Sequence, residues 1–146
     1  MVMIMKGSKD VLSSVIKTTQ MGQIGIRSVL NMPLRASLQD ALRSQLQEYN
    51  KIEQEALALA KARGWELKQQ NRSIQYMTNM MTRTKLSFGD SSSKAAAMMI
   101  QGNTKGIIKG YKNLNQFAIP DERVSQLSRK LLQCEQDNIQ QMQGFL

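Results

Sequence analysis

Three residues, Asn31 to Pro33, separate two long stretches of helical periodicity, and a connection this short allows only an antiparallel helical hairpin. Before the break, Leu12, Val15, Ile16, Thr19, Gln23, Ile26 and Leu30 recur at three- and four-residue steps. After it, Leu38, Leu42, Gln45, Tyr49, Ile52, Ala56 and Leu59 do the same. The spacing predicts a helix over 8–30 with Ser8 as N-cap, and a second over 34–63. Pro33 suits a first helical position and Gly64 a left-handed C-terminal cap.

Two more helices follow. One is expected over 91–118, behind the Asp90-Ser91-Ser92-Ser93 cluster, and one over 121–143, where Asp121 follows Pro120 and caps well. The last carries the heptad Val124, Leu127, Leu131, Cys134, Asn138, Gln141 and Phe145. In the third, Gly102, Gly106 and Gly110 align on one ridge, where each costs about 1 kcal/mol relative to Ala in a helix interior. A close-packing groove that receives a neighbouring backbone or bulky side chain accounts for that cost. Strand signals are nearly absent.

Residues 65–89 are too many for a hairpin loop. They suit a crossover along the bundle with a short extra helix, in which Ile74, Met77, Met80 and Met81 share a face. Two hairpins joined by one long crossover form a ferritin-like four-helix bundle. The expectation is one all-α domain over 1–146. An up-and-down bundle with a fifth helix is the alternative.

The chemistry is limited by what the chain lacks. It has no histidine and one cysteine, Cys134, which excludes the usual zinc sites, an intramolecular disulfide and histidine-based catalysis. A di-metal carboxylate bundle centre needs Glu-x-x-His pairs; Glu135 and Asn138 have that spacing, but with an amide for the imidazole. Glu48, Glu53 and Glu55 read as surface or flanking residues. The expected interior is a neutral polar layer of Thr19, Gln23, Gln45, Tyr49, Asn103, Glu135 and Asn138, hydrogen-bonded internally, with no metal and no cofactor. Cys134 reads as a buried small hydrophobe, since no base could activate it.

The net charge is +9, and between Lys61 and Lys112 ten basic residues face only Glu66 and Asp90. Lys94, Lys105, Lys109 and Lys112 form a basic face that could meet an acidic partner or, as the second reading, bind nucleic acid nonspecifically. No RNA-recognition aromatic pattern, helix-turn-helix spacing or zinc knuckle accompanies the charge. Eleven methionines and seventeen glutamines suit adaptable packing and polar lateral surfaces. No apolar stretch approaches the ~20 residues of a membrane helix. The expected location is cytoplasmic.

Leu34-Arg35, Leu38, Leu42, Gln45-Leu46, Tyr49 and Ala62-Arg63-Gly64-Trp65 resemble the helical hairpin of the spore coat protein F family, over about Val11 to Glu66. The C-terminal Leu127, Leu131-Leu132, Glu135-Gln136, Asn138-Ile139 and Phe145-Leu146 are similar to the last helix of small ferritin-like proteins of spore formers. The resemblance implies a ferritin-like bundle in or near the spore coat, associating with itself or with other coat-type proteins. Taken together, these features point to a non-catalytic structural or interaction module. An enzyme is the third class considered, and it lacks an obvious catalytic set.

Overall fold

The computed structural model describes residues 2–67 and 90–146, with side chains from Gly7 onward. Among the described residues it contains four helices and no strand: α1 (Val2–Val29), α2 (Ala36–Ala62), α3 (Ser92–Gln116) and α4 (Glu122–Gln143). The short extra helix expected within 65–89 lies outside the described residues except for Trp65 to Leu67, which are not helical.

Local chemistry sets most helix ends. Gly64 has φ +67°, Trp65 N–H donates to Ala60 O at 2.9 Å and Gly64 N–H to Lys61 O at 3.1 Å, a Schellman closure of α2. Asp121 caps α4, accepting from Arg123 N–H at 3.1 Å and Val124 N–H at 3.3 Å. Two expected starts are corrected. α1 begins at Val2, so Ser8 is not its N-cap; Ser8 is buried inside the helix and its Oγ accepts the Asp121 N–H at 3.4 Å. α2 begins at Ala36, because Pro33 O instead accepts from Ser91 N–H at 2.9 Å and Arg35 N–H donates to Ser92 Oγ at 2.9 Å. α3 is also shorter than expected, since Phe117 is extended.

These contacts define the topology. The α1–α2 turn lies beside the start of α3, and Arg35 also stacks on Phe145 at 5.8 Å, near the end of α4. At the other end, Arg63 Nε donates to Asp121 Oδ2 at 2.7 Å, joining the end of α2 to the start of α4. The end of α2 and the start of α3 therefore lie at opposite ends of the bundle. α1 packs on α2, α3 on α4, and each of α3 and α2 meets the other hairpin through α1 and α4.

The core is continuous across the four helices, built on Leu12, Ile26, Leu38, Leu42, Ile52, Val124 and Met142, all fully buried. On α4 the buried stripe departs from the heptad. Glu135 and Met142 are buried, Cys134 is half-buried and Gln141 is exposed. A straight helix turns once per 3.6 residues, and α4 must face three neighbours, so its inward face is wider than a strict heptad allows.

Candidate polar node and the cleft above it

At mid-height the bundle buries a hydrogen-bonded cluster from three helices. Tyr49 of α2, Asn103 of α3 and Glu135 of α4 are each at most 2% exposed. The Tyr49 hydroxyl lies 2.6 Å from Glu135 Oε1 and 3.1 Å from Asn103 Oδ1. The phenol has one proton for two acceptors, so the node has two consistent proton arrangements. With Glu135 neutral, its carboxyl O–H donates to Tyr49, which donates to Asn103 Oδ1. With Glu135 ionised, Tyr49 donates to it and the Asn103 amide turns so that Nδ2 donates to Tyr49.

Burial favours the neutral form. It pushes the Glu135 carboxyl up to about 7, with the Tyr49 hydrogen bond opposing it. The Tyr49 phenol is raised well above its ordinary value, first by burial and then by the negative charge of Glu135. Asn103 Nδ2 is buried without a partner in the orientation described.

The other expected interior residues are buried as well, but they do not form one layer. Gln23 Nε2 donates to Glu53 Oε1 at 3.0 Å and Asn50 Nδ2 to Gln23 Oε1 at 3.4 Å, at the α1–α2 seam. Gln45 Nε2 donates to Gln141 Oε1 at 2.7 Å, at the α2–α4 seam. Thr19 turns back on its own helix, its hydroxyl donating to Ile16 O at 2.7 Å, and Asn138 lies 3.7 Å from Cys134 Sγ. Among the described residues Tyr49, Asn103 and Glu135 meet as a group, with Asn138 also acting on the Tyr49 hydroxyl. Glu53 belongs to this set through Gln23, and its signal was the i, i+3 spacing from Asn50 on the flank of the α2 stripe.

The glycines of α3 have different neighbours. A Cβ on Gly106 would lie 2.9 Å from Glu135 Oε2, and one on Gly110 would lie 2.6 Å from Leu132 Cδ2, so both accommodate α4 of the same chain. Among the described residues, a Cβ on Gly102 would meet nothing within 4 Å. On α1, a Cβ on Gly22 would lie 2.9 Å from the Tyr49 ring; this position was missed, and a glycine three residues before Gly25 was its signal.

Between α1 and α3 a cleft of about 470 Å³ opens over the node, with Tyr49, Asn103 and Glu135 in its lining. Lys17, Lys105 and Lys109 also line it. A second cavity of similar volume lies between α1 and α2 beside Trp65. Lys94, Lys105, Lys109 and Lys112 are exposed along α3, and the outward Ile108 and Tyr111 beside them are 51% and 48% exposed. Among the described residues no three His, Cys, Asp or Glu side chains gather, and one carboxylate with a phenol and an amide does not fit a di-metal carboxylate centre. Burial pushes the half-buried Cys134 thiol up to about 12, with Glu135 adding to the effect.

The fold and node define a four-helix bundle with a buried phenol–amide–carboxyl cluster. Comparison with family models, curated proteins and solved structures finds no significant match. No described helix is long and apolar enough to cross a membrane.

Proposed function

We propose that this chain is a non-catalytic helical-bundle interaction protein that self-associates through the outer face of α3. The observation that carries the reading is the pair Ile108 and Tyr111, about half exposed and one helical turn apart on a helix otherwise seated against α1 and α4. Half-buried Ile107 lies beside them. Exposed aromatic and aliphatic side chains one turn apart on a helix are the composition of an interface core, and the flanking lysines supply a polar rim. The absence of histidine and a thiol held protonated by burial support a non-catalytic role.

The path between opposite ends of the bundle, from α2 to α3, supports a ferritin-like connectivity. The resemblance of Val11 to Glu66 to the spore coat protein F hairpin supports a place among coat-type proteins. The test is native mass spectrometry of untagged protein over a concentration series, with Ile108→Glu and Tyr111→Glu. Loss of a defined oligomer in the variants supports the reading; a wild-type monomer throughout the series rejects it.

A second reading has its own observation. Lys94, Lys105, Lys109 and Lys112 lie along one exposed line of α3, which is suited to nonspecific nucleic-acid binding. Charge reversal at Lys105, Lys109 and Lys112 would then abolish low-salt DNA binding. Retained binding, or none in the wild type, rejects that reading.

A further inference from the structure

The α1–α3 cleft has a built polar floor that packing does not explain, and its ends differ in chemistry. Asn113 Nδ2 donates to Ser14 Oγ at 2.8 Å, which sets the antiparallel register of α1 against α3. Counting from that pair places Lys17 opposite Lys109 and Gly110, Gly25 opposite Gly102, and Val29 opposite Met98. One end of the cleft is thus cationic and the other apolar.

Its middle is lined in part by glycines, Gly22 and Gly25 on α1 and Gly102 and Gly106 on α3, beside Met21, Gln101 and Lys105. Gly102 is the informative one. A helix-interior glycine costs about 1 kcal/mol relative to Ala, yet a Cβ at Gly102 would meet no described atom within 4 Å, so no contact among the described residues requires it. Its effect is to keep the cleft open above Asn103, whose Nδ2 is buried and unpartnered, and above Glu135. An unpaired buried amide costs free energy that a bound polar group would recover. From Lys17 to Ser28 the cleft runs about 16 Å at 1.5 Å per residue.

We infer that this cleft binds an elongated anionic amphiphile with a hydrogen-bonding group partway along its chain. The anionic head lies at Lys17 and Lys109, the polar group meets the Asn103 amide and Glu135 carboxyl, and the tail runs toward Met98, Met99 and Val29. The site opens between α1 and α3 and shares Lys109 with the edge of the outer face of α3, but it does not depend on self-association.

Isothermal titration of the full chain with 5-hydroxydecanoate, below its micellar range, tests this, with decanoate and 1-decanol for comparison. Saturable binding is expected, weaker for decanoate, which lacks the hydroxyl, and weaker again for the uncharged alcohol. Gly102→Leu adds a side chain to the cleft wall from a Cβ that meets no described atom, so it should keep its fold, checked by circular dichroism, while weakening binding at least about tenfold. Lys17→Glu combined with Lys109→Glu should weaken the acid but not the alcohol. Absence of saturable binding, equal affinity for decanoate, or binding left unchanged by Gly102→Leu overturns the proposal.

Discussion

Glu135 occupies the space that a side chain at residue 106 would need: a Cβ on Gly106 would lie 2.9 Å from its Oε2 and 3.0 Å from its Cδ. That carboxyl end is held by Tyr49 and cannot simply swing aside. Gly106→Leu should therefore lower stability by about 1–3 kcal/mol through overpacking. Gly102→Ala, whose Cβ meets no described atom, should raise it by up to about 1 kcal/mol through helix propensity. Urea melts of the two variants decide whether glycines on one ridge have these opposite roles.

Removing one hydroxyl tests the node. Tyr49→Phe keeps the ring under Gly22 but leaves Glu135 Oε1 and Asn103 Oδ1 without their shared partner. Orphaned buried polar groups cost about 1–3 kcal/mol. Because the Tyr49 bond lowers the Glu135 pKa, the variant should also shift that titration upward, which carboxyl NMR would register.

Stability should fall as the solution becomes more alkaline across the acid-to-neutral range. Glu135 has its folded pKa raised from 4.5 to about 7, so the folded state binds the extra proton. The stabilisation is full below about 4.5, declines as pH rises and is gone above about 7, a change on the order of 3 kcal/mol. The titratable groups around it are Tyr49 and Cys134, both held neutral there, and Lys105 and Lys109, which line the cleft above. Asp90 and Asp121, with lowered pKa values, act in the opposite direction only as pH falls toward their ordinary range. Thermal melts of wild type and Glu135→Gln between pH 4 and 8 should diverge; parallel curves would refute the assignment.

Asp121 joins two duties, capping α4 and pairing with Arg63. Asp121→Ala should cost about 1 kcal/mol or more, the range for a lost N-cap. Arg63→Gln removes only the ion pair and should cost less, since a pair whose arginine reaches solvent contributes little. Equal losses in chemical denaturation would mean that the inter-helix pair, and not the cap, carries the contribution.

What the sequence determined by itself was local. Four helices, the left-handed Gly64 and the Asp121 cap follow from side chains acting within a few residues of their own backbone, and the buried polar residues stood out by their place on apolar stripes. Tertiary structure decided what depends on a partner distant in the chain. Ser8, a plausible cap by its neighbours, instead accepts from Asp121, and Pro33 is held at the start of α3 before α2 can begin. Seven polar residues on inward faces sorted into separate seams because hydrogen bonds reach only about 3 Å, so helix rotation and register choose which of them meet. The same register turned Gly106 and Gly110 toward α4 and left Gly102 above an open cleft, a difference that three identical residues at equal spacing could not reveal.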